Sequence, residues 1–346
     1  MQRPFGRLTA LTAALALMMI FVCSTAAAQT TKTYTLTNLV SNQNGKAKHV
    51  DPLLVNAWGL AYAPGAPIWV SDEGTGWSTL YDGTGKPQTL QVVVPKANGQ
   101  GFGTPTGIVY NGSQEFAIHS WVSLFLFVTL DGSIQGWSSF NPNATLVAVD
   151  NSGSGASYTG LAITSKSSGN MLYAADINNN KVDVYDGNFK FVTSFTDTTL
   201  PKGYAPFGIQ DINGLVYVSF APTNGSAGGV VDIFKENGSF VKHFARGKPL
   251  NQPWGFAVAP KNFGPLSNTL LVSNNTNTGT INGFNLKTGK FVGTLKNGAG
   301  KPFVIDQLWG IEFGGGSSSN GQKNQLFFTA GPNNNVNGTL GAISFK

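Results

Sequence analysis

Ten oxygen-bearing side chains recur at comparable places along this chain: Asp72 and Glu73, Asp131, Asp176 and Asn178, Asn274 and Asn275, with Asp51, Asn56 and Asp306. Carboxylates and amide carbonyls in such number are the donor set of a hard cation such as Ca²⁺ or Mg²⁺, which takes about six or more oxygens. They suit the hydroxyls of a sugar equally well. Asp72, Asp176 and Asp306 are the candidate metal ligands, and a divalent cation, Ca²⁺ or another, is the only cofactor these groups imply. Asp and Asn also favour turns whatever the function, because their side chains bond the nearby backbone.

Other chemistry is scarce. His49, His119 and His243 are far apart and show no metal-ligand spacing. His243 falls in an outermost strand, where a solvated histidine is the expected reading, and His49, near Asp51, is the only one placed for acid or base work. There is no Gly-x-Ser-x-Gly elbow and no phosphate-binding loop. Cys23 is the only cysteine.

The elements that must position these residues are legible in a repeat. Trp58-Gly59-Leu60, Thr106-Gly107-Ile108, Thr159-Gly160-Leu161, Phe207-Gly208-Ile209, Trp254-Gly255-Phe256 and Trp309-Gly310-Ile311 place six glycines 47 to 55 residues apart. Short strands and tight turns fill each interval, the pattern of a β-propeller with six blades. The third repeat shows four strands at 160–164, 171–175, 181–185 and 189–195. The fifth repeats them at 255–259, 269–273, 280–284 and 290–295. Asp82-Gly83, Asp131-Gly132, Asp186-Gly187, Asn213-Gly214, Asn237-Gly238 and Asn282-Gly283 are read as tight turns whose glycines supply positive φ.

The last repeat is one strand short, so residues 34–40 are expected to complete it and close the ring, leaving no exposed edge. Residues 314–324 read as a mobile hairpin loop, and the apolar run 121–128 as a buried second strand of the second blade. On this scheme the ten oxygen donors converge at one mouth of the axial channel. The glycines let inner strands approach the axis, and the aromatics before them fill the wedges between blades. The alternative is an aromatic ring around one mouth that stacks on a planar ligand.

Arg3 and Arg7 precede an apolar run at 8–22 and then Ala26-Ala27-Ala28, which reads as a secretory signal over 1–28. Residues 29–346 then form one propeller domain, secreted or periplasmic, with no transmembrane anchor after cleavage and no cysteine. Losing Arg3 and Arg7 lowers the formal charge from +6 to +4. The remaining Lys and Arg form no basic stripe, which excludes a nucleic-acid partner.

The runs Asp51-Pro52, Leu54-Val55-Asn56-Ala57-Trp58-Gly59-Leu60-Ala61, Ser78-Thr79-Leu80-Tyr81-Asp82-Gly83, Pro105-Thr106-Gly107-Ile108-Val109, Gly203-Tyr204-Ala205-Pro206-Phe207-Gly208-Ile209 and Phe327-Phe328-Thr329-Ala330-Gly331-Pro332 resemble an uncharacterised family of exported bacterial β-propellers. Some of its members carry PEP-CTERM sorting signals, whereas this chain ends in Ile343-Ser344-Phe345-Lys346 without one. The resemblance implies export and six blades, and no established activity. At the level of fold alone the chain is also similar to NHL-repeat proteins and to six-bladed sugar lactonases, which hold a divalent cation at the axis. The function expected is a non-catalytic binding or scaffold module that presents one loop-rich face to a glycan, a matrix polymer or an envelope protein. The alternative is a cation-dependent hydrolase or lactonase built on the axial Asp and Asn groups.

Overall fold

Six glycines set the geometry of the axis. In the computed structural model, which describes residues 1–2, 32–164 and 169–346, each begins the close approach of one innermost strand to the next. A Cβ added at Gly59 would lie 2.5 Å from the carbonyl oxygen of Thr106, at Gly107 2.5 Å from the amide of Leu161, and at Gly160 3.1 Å from the carbonyl of Phe207. Gly208 meets the carbonyl of Trp254, Gly255 that of Trp309 at 2.8 Å, and Gly310 that of Trp58 at 2.7 Å, which closes the circle. Only a residue without a side chain allows backbones this close.

Around that ring stand six antiparallel sheets, giving an all-β six-bladed propeller whose described residues include only two 3₁₀ turns of helix. The innermost strands are Ala57–Tyr62, Pro105–Tyr110, Tyr158–Ile163, Tyr204–Ile212, Pro253–Val258 and Leu308–Phe313. Pairing between each inner strand and the second strand of its blade slips beside the ring glycine, for example between Ala57 and Leu60 and between Leu308 and Ile311. A bulge of this kind frees a backbone N–H. The hydroxyls of Ser219, Ser273 and Thr329 accept it from Gly208, Gly255 and Gly310. Hydroxyls also join neighbouring blades: Thr106 donates to the carbonyl of Tyr158, Thr159 to that of Phe207 and Ser273 to that of Trp309.

The ring closes as expected. Tyr34–Ser41 pairs antiparallel with Thr339–Phe345 as the fourth strand of the last blade, and His49–Val50 adds a short parallel fifth beside it. Val40 and Leu39 are buried, and the Tyr34 hydroxyl reaches the fifth blade, donating to the carbonyl of Phe263 and accepting from the amide of Leu266. The secretory signal at 1–28 and the proposed cleavage point lie outside the described residues. No helix among the described residues is long and apolar enough to cross a membrane.

Four local expectations need correction. The run 121–128 divides: Phe125–Thr129 is the buried second strand of the second blade, while Trp121–Val122 pairs with Ala117–Ile118 in a separate hairpin and leaves Trp121 exposed. Asn282-Gly283 is no turn but the middle of the strand Ile281–Asn285. At Asp82 and Asp186 the positive φ falls three residues on, at Gly85 and Phe189, because each carboxylate accepts the amides two and four residues ahead and draws out a longer turn. The Gly- and Ser-rich loop at 314–324 is anchored: Gly83 donates to the carbonyl of Ser318, and the buried Asn320 accepts from Ser317.

Candidate functional site

The ten predicted oxygen donors all sit in turns or strand ends, and each is engaged locally. Asp51 accepts from the Tyr81 hydroxyl at 2.9 Å and from the amide of Leu53. Asp72 is fully buried and accepts from Thr79 at 2.7 Å, and burial drives its carboxyl well above the usual range. Asn56 donates to Glu73 and accepts from the Trp309 indole at 3.0 Å. Asp131 accepts from Ala97 and Thr129, and Asp176 from Ser157 and Asn179. Asn178 donates to the carbonyl of Gly155, Asn274 to that of Pro249 and Asn275 to that of Leu308, while Asp306 accepts from the amide of Asn333. These bonds shape blade entries and join adjacent blades. Asp72, Asp176 and Asp306 do not form a shared ligand group. Among the described residues, the group of three acid or histidine side chains with ligand atoms within 4.8 Å of one another is Asp197, Asp232 and His243, where the third blade meets the fourth.

At this end of the axis the aromatics before the ring glycines fill the space. Trp58 and Trp309 stack with centroids 3.5 Å apart and 18° between planes. Trp254 stands edge-on to both, at 6.0 and 5.8 Å, and Phe207 edge-on to both as well. All four are buried, and the Trp254 indole donates across the axis to the carbonyl of Thr159 at 3.0 Å. Their faces are spent on one another, so the packing role holds and no stacking platform is left.

The opposite end is open. Where the innermost strands finish, Tyr62, Tyr110, Ile163, Gln210, Asp211 and Glu312 line a cavity of about 280 Å³. A narrower space of about 40 Å³ continues it inward between the ring glycines as far as Trp254. The cavity is a blind well: strand backbone and apolar residues such as Leu60, Ile108 and Leu161 make its walls, with the aromatic plug beyond. Among the described residues, its lining includes no Lys, Arg or His. Glu312 is half-buried, and burial pushes its carboxyl up to about 7. Tyr62 donates to the carbonyl of Phe313 at 2.7 Å, and burial, with the nearby Glu312 charge, pushes its phenol up to about 12.

Gln210 and Glu312 were not singled out in the sequence. The signal was there, however, because both stand two residues beyond a ring glycine. That column reads Ala61, Val109, Ala162, Gln210, Ala257 and Glu312, four small apolar residues and two long polar ones. Side chains two apart share one face of a strand, so the polar pair breaks an otherwise apolar lining.

A pH-dependent stability follows from Glu312. Its folded-state value of about 7 lies above the ordinary 4.5, so the stabilisation from its proton is complete below pH 4.5 and is lost as pH rises through 7. Glu312→Gln is therefore expected to match the parent protein near pH 4 in urea unfolding. At pH 8 it is expected to be the more stable, by on the order of 2 kcal/mol once cavity water is allowed for. Equal stability at both pH values would show that the carboxyl is well solvated.

Comparisons with known proteins bear on fold and family. No family model matches the chain. It is 31% identical over 333 residues to the uncharacterized protein R648 of Acanthamoeba polyphaga mimivirus, covering 90% of this chain and 80% of that protein. It is 28% identical over 336 residues to the uncharacterized protein L690 of the same virus, covering 90% and 86%. These relatives are viral, whereas the resemblance read from the sequence implied a bacterial family, and of that reading they support the propeller fold alone. Among solved structures, a gluconolactonase of Xanthomonas campestris superposes with a TM-score of 0.54 at 13% identity, over 85% of this chain and 87% of that one. The PQQ-bound aldose sugar dehydrogenase of Streptomyces coelicolor gives 0.55 at 14%, over 90% and 98%. At such identities the likeness is one of fold.

Proposed function

Because the chain belongs to the family of uncharacterised proteins that includes R648 of the mimivirus, we propose its function from the site itself: a non-catalytic binding propeller whose open axial cavity seats a neutral, hydroxyl-rich group such as the end of a glycan. The observation that carries this reading is the chemistry of the well. Glu312, Gln210 and two tyrosines stand among apolar walls, and the described lining residues include no Lys, Arg or His, so the hydroxyls of a neutral ligand find polar partners there. About 280 Å³ is a compact seat, near the lower end of small-ligand pockets, and suits one sugar ring rather than an extended chain. The glycan therefore enters end-on, and the loops around the mouth meet whatever carries it.

The cation-dependent hydrolase reading draws on Asp72, Asp176 and Asp306, which bond three separate partners, Thr79, Ser157 and Asn333, and form no common ligand group. The binding reading is tested by titrating the purified protein with neutral and with uronic oligosaccharides by ligand-observed NMR. Saturable binding of a neutral glycan is expected, weakened about tenfold or more in Glu312→Gln and Gln210→Ala through loss of buried hydrogen bonds. Binding that these variants leave unchanged, or a preference for anionic sugars, would place the ligand elsewhere. Turnover of a bound glycan would replace the non-catalytic reading with an enzymatic one.

Export belongs to the same proposal and rests on the segment 1–28. Protein recovered from the periplasm or medium of an expressing bacterium is expected to begin at Gln29 by N-terminal sequencing. A retained Met1 would remove the export reading.

A further inference from the structure

On the fourth blade, away from the axial cavity, two carboxylates and an imidazole converge. Asp232 lies on the third strand, Val230–Lys235, and is fully buried. His243 comes from the outermost strand, Phe240–Arg246, and Asp197 from the segment after the outermost strand of the third blade, Phe191–Phe195. The register places Asp232 opposite His243 across the two strands. His243 Nδ1 lies 2.8 Å from Asp232 Oδ1 and 3.5 Å from Asp197 Oδ2. Asp197 is held in place from behind, its Oδ1 accepting from the amide and hydroxyl of Thr199 at 2.8 and 2.7 Å.

Two atoms in this group lack the partners that burial demands. Oδ2 of Asp232 and Oδ2 of Asp197 are both inaccessible, and no N–H or hydroxyl of another residue reaches either; only the facing carboxyl is near enough to share a proton. A buried carboxylate oxygen without a donor is costly, and two that face one site call for positive charge between them. Arg246 does not supply it at bonding distance. Its Nη2 stays 3.7 Å from Asp197 and lies instead against the His243 ring, 2.5 Å from Nδ1 and 2.6 Å from Nε2. Nearly half exposed, the Arg246 side chain is free to turn outward into water.

We propose that Asp197, Asp232 and His243 form a site for a divalent transition metal of the Zn²⁺ type, clasping the end of the third blade to the two outer strands of the fourth. Imidazole nitrogen with two carboxylate oxygens is a donor set suited to Zn²⁺ and its neighbours, whereas Ca²⁺ and Mg²⁺ take oxygen alone. His243 Nδ1 is the ligand atom, since it faces both carboxylates, and the metal takes the place of the proton it shares with Asp232. With about a third of the imidazole exposed, water completes the coordination from the solvent side. The clasp stabilises the junction between blades, independently of any axial ligand.

The test is calorimetric titration of EDTA-treated, dialysed full-length protein with ZnCl₂, alongside thermal unfolding with and without the metal. One Zn²⁺ per chain is expected to bind at micromolar affinity or tighter, raising the midpoint by several degrees at 100-fold excess over Kd. His243→Ala and Asp232→Asn are expected to weaken binding at least tenfold and abolish the metal-dependent rise. Arg246→Ala should retain or strengthen it, because a competing charge is removed; a purely ionic cluster without metal would instead lose stability in that variant and ignore Zn²⁺. Asp232→Asn, which keeps the shape and removes a charge, guards against reading a folding defect as lost binding. Absence of a saturable site, or Zn²⁺ binding that survives both ligand variants, overturns the proposal.

Discussion

Gly107→Ala is expected to be among the most destabilising single changes in this protein, lowering unfolding free energy by about 3 kcal/mol or more in urea titration. The added Cβ would lie 2.5 Å from the backbone nitrogen of Leu161, 2.8 Å from its Cβ and 2.9 Å from the carbonyl carbon of Gly160. Those neighbours are main chain and a Cβ of the next blade's innermost strand, which no rotamer change can move aside. In a closed ring, widening one interface compresses or opens the others, so the strain is not absorbed locally. Gly153→Ala serves as the control: nothing lies within 4 Å of its added Cβ and its φ is not positive, so its effect is expected to stay within about 0.5 kcal/mol. Equal stability of the two variants would mean that the inner strands are more loosely packed than the ring geometry requires.

Removing the closing strand is the second large perturbation. A chain starting at residue 43 loses Tyr34–Ser41, and with it the cover over Thr339–Phe345. The newly exposed edge and the apolar surface left by Val40, Leu39 and Tyr34 favour aggregation. Expression of this truncated chain is expected to give largely insoluble or oligomeric protein by size exclusion, partly rescued by a synthetic peptide of residues 32–42 added during refolding. Val40→Asp, which buries a charge at a fully inaccessible position beside Leu54 and Leu340, is expected to reproduce much of the loss within the intact chain. A soluble, cooperatively unfolding monomer from the truncated chain would show that ring closure is dispensable.

How much of this was readable without coordinates depended on the range of the interactions involved. The ring glycines, the blade count and the returning strand 34–40 were legible because each expresses a constraint repeated in every blade: backbone approach, strand alternation and the pairing of an edge. Turn chemistry was legible in kind and misplaced in detail. Asp82 and Asp186 do start turns, but their carboxylates reach amides four residues ahead and move the positive φ to Gly85 and Phe189. The candidate oxygens were legible as residue types and not as an arrangement. Asp72, Asp176 and Asp306 carry suitable oxygens, and residue type alone does not reveal that they bond separate partners, Thr79, Ser157 and Asn333, instead of facing one another.

His243 makes the same point in reverse. On the sequence it was a solvated residue of an outer strand, and it does lie on that strand. Pairing across the sheet brings it to Asp232, 11 residues away, and blade packing brings both to Asp197. By itself the sequence determined the six-fold β architecture and its closure, since those follow from short-range preferences repeated six times. Only the tertiary structure decided which end of the axis is plugged by Trp58, Trp254, Trp309 and Phe207, which end opens beside Glu312, and which carboxylates lack partners. Each of these depends on burial and on charges meeting across blades, and both are set by the distance between side chains in space rather than by their order along the chain.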